Sequence, residues 1–439
     1  MREKQDQHTL AANELFLTAQ VFEDCMDIAR DADGLLCSDL NVDTMRPWTV
    51  DELSKAKAEI WSNWRHDPAG CMAYEDTLMA TGRYIRVKVL HDQIAPATPQ
   101  IRQQAEGAVE AIIAVAQAGE RVESGYLPKP FGGLRKAAES KGISCDQIEH
   151  VALGLWQFRK QYPDSTLNAE IEEKLVRWTE YFMRRDWSYI FHGLFWHTLE
   201  DTPTTDLPAL PLIHSLGLYM PLCVMSHSIT GDQKYLDALN QKLIPILKRW
   251  LTDTTQNFSQ HSNSCELLGM GAYFCATNNV MNDVASKTLQ QTWRIAVARV
   301  SKDGLEYETN GVTDEHLITP HYIDPPSEGA WHGDRLGLWK SNSKSACSLC
   351  TAHLGVLAEK IHGDCNRAQQ ITHILAAIQN PDQITRMIDP DGQQIPIEHS
   401  YLKHTLWVQC IGAWLEATYQ NHLLQHSQDR SCADDGNKP

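Results

Sequence analysis

LIHSLGLYMPLCVMSHSITGDQKYLDALNQKLIPILKRW, residues 212–250, holds two different helix patterns joined by one tight turn. The first, 212–228, has small and apolar residues on every side and no Asp, Glu, Lys or Arg. A helix of that kind must be covered all round. The second, 233–250, sets an apolar stripe against a charged one, as a helix with one solvent face requires. Between them SITGDQ supplies the Gly and Asp that break a helix and start a new one. The stretch therefore predicts an antiparallel hairpin of one inner and one outer helix.

The same unit recurs on either side. Helix-length patterns fall at 8–31, 73–91, 99–118, 145–161, 166–184, 212–228, 233–250, 262–276, 281–299, 343–361, 365–379 and 402–424. Short breaks (HDQIAPATP, QYPDST, SITGDQ, ATNNVMND, IHGDCN) alternate with longer links at 119–144, 185–211, 251–261, 300–342 and 380–401. That alternation places every long link on one face. Six hairpins with the first helix beside the last close into an all-α (α/α)6 toroid, a six-hairpin barrel with long loops on one face. An open α-solenoid is the alternative, and aromatic-rich loops crowded on one face favour the closed barrel. Strand signals are nearly absent. A single barrel domain is expected over 1–426. The irregular segment 32–71, bearing Trp48, Trp61 and Trp64, should lie over one end, and the polar tail 427–439 should be disordered.

Composition narrows the function. The 439 residues are 42% hydrophobic and 22% charged, which excludes collagen, a long coiled coil and a mostly disordered chain. A net charge of −17 argues against nucleic acid or an anionic membrane as partner, because phosphate binding needs a basic face. The opening MREKQDQHTLAANELF is polar where a signal peptide is apolar, and no apolar run approaches the roughly 20 residues of a membrane span. Twelve scattered cysteines, several within apolar helix patterns, read as buried thiols in a reducing compartment. A soluble cytoplasmic protein is expected, its oligomeric state open.

Three phrases carry a family likeness. SHSITGDQKYLDALNQ (226–241) resembles the helix–TGD–xxY–helix turn of the six-hairpin glycosidases. YEDTLMATGRYIRV (74–87) and ISCDQIEHVALGLWQFRKQYP (143–163) each open an inner helix with an acid, as those enzymes do. The subgroup most similar is the unsaturated glucuronyl and rhamnogalacturonyl hydrolases, which use an Asp at each of two neighbouring inner-helix starts. The resemblance implies that Asp76 and Asp146 are the catalytic pair. Asp146 would then protonate the substrate's double bond and help activate water, with Asp76 steering the substrate or sharing the proton.

Read without the resemblance, Asp76 and Asp146 are acids at helix starts, where a carboxylate caps free N–H groups. Glycosidic chemistry commonly needs two carboxyls, and both starts should face the long-loop side. His150 is one turn after Asp146 and on its helix face, placed to tune that carboxyl. GYLPKPFGG in the first long link fixes a shaped backbone from which Tyr126, Lys129 and Phe131 project. An aromatic face stacks on a sugar, and a lysine pairs with a uronate. The link 185–211 gathers Trp187, His192, Trp196 and His197, either a sugar platform or a plug, with Trp196 and His197 the pocket candidates. The longest link carries His321, Tyr322, Trp331, His332, Asp334, Arg335 and Trp339. Arg335 offers the planar fork that matches a carboxylate. Glu266, with Ser264, stands near another inner-helix start.

Metals and cofactors find little support. Cys347, Cys350 and His353 in CSLCTAH sit at i, i+3 and i+6 of one helix and do not converge, so no metal is expected. Neither a phosphate loop nor a dinucleotide glycine fingerprint occurs, so no nucleotide cofactor is expected. The sum is a carbohydrate-active enzyme, a glycoside hydrolase acting on a small acidic oligosaccharide. The alternatives are a sugar epimerase or isomerase of the N-acetylglucosamine 2-epimerase type using paired histidines, and a polysaccharide lyase using Tyr322 beside His321. A non-catalytic helical binding protein is the third.

Overall fold

The computed structural model describes residues 17–41, 43–49, 52, 73–95, 99–140, 142–191, 195–197, 212–252, 262–298, 345–363, 365–384 and 405–435. His192, His321, Tyr322, His332, Arg335 and Trp339 lie outside these residues, and Trp196 and His197 are described in backbone alone.

Twelve helices lie among the described residues. In chain order they are α1 (17–28), α2 (Thr77–Ile94), α3 (Pro99–Glu120), α4 (Cys145–Gln161), α5 (Asn168–Arg184) and α6 (Leu216–Thr230). Then α7 runs through three segments, Lys234–Ala238, a π turn at Leu239–Leu243, and Ile244–Thr252. It is followed by α8 (Ser262–Thr277), α9 (Asn282–Val297), α10 (Ser345–His362), α11 (Cys365–Ala376) and α12 (Val408–Asp435). The even-numbered helices touch in the order α2, α4, α6, α8, α10, α12 and back to α2, which is a closed ring. The odd-numbered helices pack outside it. The fold is an all-α (α/α)6 toroid.

The sequence explains the two layers. Every residue of α6 from Leu216 to Ser226 is buried, in keeping with its uncharged first half. At its end Gly231 adopts φ +71°, a left-handed conformation that a side chain would strain, and its N–H caps the His227 carbonyl at 2.8 Å. Asp232 then accepts from the Lys234 N–H at 2.9 Å and starts α7. Tyr235, the aromatic of that phrase, is buried with its hydroxyl donating to Glu180 of α5. No helix among the described residues is long and apolar enough to cross a membrane. Eight cysteines, Cys25, Cys37, Cys145, Cys223, Cys265, Cys275, Cys350 and Cys410, are buried thiols.

Short strands add what the sequence reading did not foresee. β1 (Asp39–Asn41) pairs antiparallel with both β2 (Arg46–Pro47) and β5 (Thr405–Trp407), and β3 (Tyr189–Phe191) pairs with β4 (Phe195–His197). At two or three residues each, they are too short for a period-two pattern to register. The first sheet joins the start of α2 to the start of α12. The Ser38 carbonyl accepts from the Val408 N–H, and the Ser38 hydroxyl accepts from the Asp76 N–H. At the other end of the chain α12 continues to Asp435, past Ser427 where the polar composition suggested a disordered tail. SQDRSCADD contains no Gly or Pro, so nothing there stops a helix.

Candidate active site

The starts of α2 and α12 share one end, where Trp407, just ahead of α12, bonds Asp76, just ahead of α2. The link 121–144 between α3 and α4 lies at that end, because its Gly133 packs against Tyr74, just ahead of α2. There α2 and α4 adjoin. The Gln147 amide of α4 donates to the carbonyl of Glu75, the residue before Asp76. Two acids thus stand at neighbouring helix starts.

Their local partners differ. Asp76 is the N-cap of α2 and makes no side-chain capping bond to its own helix. It is buried, and its Oδ2 accepts from Trp407 Nε1 of β5 at 2.9 Å. Asp146, in the first turn of α4, is half-buried, and its Oδ1 accepts from the Ser144 hydroxyl and, at 2.8 Å, from the Gln147 N–H. His214 is close enough to feel the Asp146 charge, which raises its pKa. Burial is the larger effect and leaves the imidazole below its ordinary value.

The first long link closes over these starts. The Lys129 N–H donates to the Gly142 carbonyl just ahead of α4, and Gly133 lies against the Tyr74 ring just ahead of α2. Lys129 is 3% exposed, with its ammonium 5.3 Å from the centre of the Phe131 ring. It makes no ion pair and no side-chain hydrogen bond among the described residues. Tyr126 is buried, its hydroxyl donating to the Ser140 carbonyl at 2.9 Å, which holds the loop's base. In the next link Trp187 is buried against the Tyr219 ring of α6, so this part of the segment is packing.

Deeper along the axis lies a layer of charge. Arg83 of α2 reaches Glu266 of α8 at 2.6 Å and Glu416 of α12 at 2.5 Å. Arg86 also bonds Glu416, and it donates to the carbonyl and the ring Nδ1 of His150. His353 of α10 donates from Nδ1 to Glu266 at 2.6 Å and meets Gln420 through Nε2. All these ion-paired side chains are at most 2% exposed. Burial alone would raise Glu266 and Glu416, yet the adjoining guanidiniums and His353 hold both below the usual carboxylate range. Five inner helices, α2, α4, α8, α10 and α12, are tied together through this layer.

It also relocates two expected residues. Both Glu266 oxygens are engaged, by Arg83 and His353, and the His150 ring is bonded to Arg86 rather than to Asp146. Cys350 and His353 lie on one continuous helix, the His353 ring spent on Glu266 and Gln420.

No protein-family model matches the chain, and no curated protein matches its sequence. Among solved structures, the Lin0763 protein from Listeria innocua aligns over 94% of this chain and 98% of its own, with 8% identity and a TM-score of 0.50. A glycosidase in complex with glucose aligns over 93% of this chain and 97% of its own, with 12% identity and a TM-score of 0.32. What the chain shares with the Lin0763 protein is the fold.

The sequence reading missed Arg83, Arg86, Glu149 and Glu416. The signal was present for the first two: RYIR places two arginines three apart inside a helix whose residues Thr77–Leu90 are all buried. Charges there require buried partners. Glu149 is taken up below.

Proposed function

We propose that the protein is a glycoside hydrolase acting on oligosaccharides that carry a uronic acid, with Asp146 and Asp76 as its acidic pair. The observation carrying this reading is the adjacency of the α2 and α4 starts, joined by the bond from Gln147 to the Glu75 carbonyl. Each presents an Asp on the long-link face. In this reading Asp146, half-buried, exchanges protons with the reacting groups, and Asp76, anchored by Trp407, orients the substrate. Lys129 supports the acidic substrate: a nearly buried ammonium with no anion among the described residues suits a carboxylate brought by the ligand. Tyr126 shapes the loop that carries it, and the remaining contacts fall to the long links that bear Trp196, His197, His321, Tyr322, His332, Arg335 and Trp339.

The test uses purified protein and a panel of uronate-terminated oligosaccharides, unsaturated and saturated. Loss of ultraviolet absorbance reports the first set and release of reducing sugar the second. Turnover by the parent protein and none by Asp146→Asn is the expected result. An inert parent across the whole panel overturns the reading.

A further inference from the structure

One buried acid in this region belongs to no ion pair. Glu149 of α4 is 1% exposed, and its Oε1 has no hydrogen-bond partner among the described residues. It lies three residues after Asp146, on the same helix face and one turn further in, with Cβ atoms about 5–6 Å apart by helix geometry. Across from it stands Gly217 in the first turn of α6, and a Cβ there would stand 2.7 Å from Glu149 Oε2. The absent side chain makes the space that the carboxyl occupies.

The charges around Glu149 come from three elements. From α2 come Arg83 and Arg86, from α8 Glu266, and from its own helix Asp146. The Cys275 thiol of α8 is also near enough to have its pKa raised by the Glu149 charge, after the larger effect of burial. Both guanidiniums are already engaged, Arg83 by Glu266 and Glu416 and Arg86 by Glu416. The two guanidiniums and the His353 ring are all engaged by Glu266 and Glu416, and a third carboxylate in the same layer has no ion pair of its own. Burying an unpaired charge is far more costly than keeping the proton. Accordingly burial, with Glu266 and Asp146 adding to it and the arginines opposing, holds the Glu149 carboxyl well above the ordinary range. Asp146, by contrast, accepts two hydrogen bonds in the first turn of a helix. A carboxyl kept protonated one helical turn from a second carboxyl is placed to act as the acid of the pair.

We propose that Glu149 is the proton donor of the reaction and Asp146 its basic partner. This rests on the hydrolase reading above. In the step, the Glu149 proton passes to the glycosidic oxygen as the C1–O bond breaks. The oxygen of a water molecule bonds to C1 and its proton passes to Asp146. Return of that proton to Glu149, directly or through solvent, restores both groups, so one water is consumed per bond cleaved.

The test compares two substrates with the same uronic acid, one joined to a sugar and one to a nitrophenol, whose departure needs no proton. With Glu149→Gln, cleavage of the sugar-linked substrate should fall by about 100-fold or more, while the nitrophenyl substrate stays within about tenfold of the parent. The basic limb of the pH profile should vanish with it. Equal losses on both substrates, or none on the sugar-linked one, overturn the proposal. Should Glu149→Gln fail to fold, Glu149→Asp, which withdraws the carboxyl by one methylene, must give the same split between substrates, and an even loss again overturns it. A parent that cleaves neither substrate removes the hydrolase reading, and the role of Glu149 falls with it. An active parent with an evenly affected variant removes Glu149 alone.

Discussion

Arg86 donates one N–H to the backbone carbonyl of His150 and another to that residue's ring Nδ1, each at 2.7 Å. A guanidinium has no acceptor, so Nδ1 accepts and the ring proton sits on Nε2. Burial first, then Arg83 and Arg86, pushes the His150 pKa well below its ordinary value. The unfolded chain takes up this proton below about pH 6.5 and the folded chain does not. Stability should therefore fall as pH drops through that value, by up to about 1.4 kcal/mol per pH unit for this one group. Urea midpoints at descending pH should show a shallower acid slope for His150→Gln than for the parent. Identical slopes would clear His150 of any part in acid sensitivity.

The axial layer makes a contrast with the surface. Glu416 is shared by Arg83 and Arg86 in full burial, so Glu416→Gln leaves charge without its counter-ion and should cost about 3–5 kcal/mol. Lys242 and Asp186 also stand 2.8 Å apart, but with side chains 57% and 76% exposed. Lys242→Ala should cost no more than about 1 kcal/mol. Thermal and urea unfolding of the two variants beside the parent measure the difference, and comparable losses would deny the layer its structural weight.

Lys129 separates binding from chemistry. If its ammonium holds the substrate's carboxylate, Lys129→Met removes a charged contact worth about 1.5–3 kcal/mol. That corresponds to a rise in KM of about 10- to 100-fold, with kcat little changed. A neutral glycoside of the same shape should be indifferent to the substitution. An unchanged KM for the acidic substrate would place the anion site elsewhere.

Glu149 gives a pH signature independent of turnover. Its folded pKa is raised, so the unfolded chain releases this proton above about pH 4.3 while the folded chain keeps it. The parent loses stability as pH rises above that point, until the folded pKa is passed. Glu149→Gln lacks that loss. The stability of the variant relative to the parent should grow between pH 4 and pH 8. A relative stability that stays constant or falls over that range would mean that Glu149 is ionised in the folded protein.

The repeat was legible in residues 212–250 because helix periodicity and turn chemistry are local properties, and Gly231 and Asp232 behave as their types require. Short β1 and β5 were illegible for the opposite reason, since three residues carry no period and their pairing spans the whole chain. Within the site, Asp76 and Asp146 stood out because helix starts can be read from flanking residues. Glu149 did not, because its character comes from Gly217, Arg83, Arg86 and Glu266, which only the closed ring assembles. Arg83 and Arg86 sat in plain view inside an apolar helix, and their partners on α8 and α12 were hidden by distance along the chain.

The pairing of Leu40 with Leu406 gives the toroid a keystone. A ring built hairpin by hairpin from the N-terminus holds an open seam until its last inner helix arrives. During that interval α2 and α10 bare the flanks that α12 will cover, and the partners of Arg83 and Arg86 are incomplete until Glu416 is in place. The final closure, rather than the formation of any helix, is the step that joins the parts of the chain most distant in sequence. A chain ending short of residue 405 would keep most of its hairpins and lack the clasp.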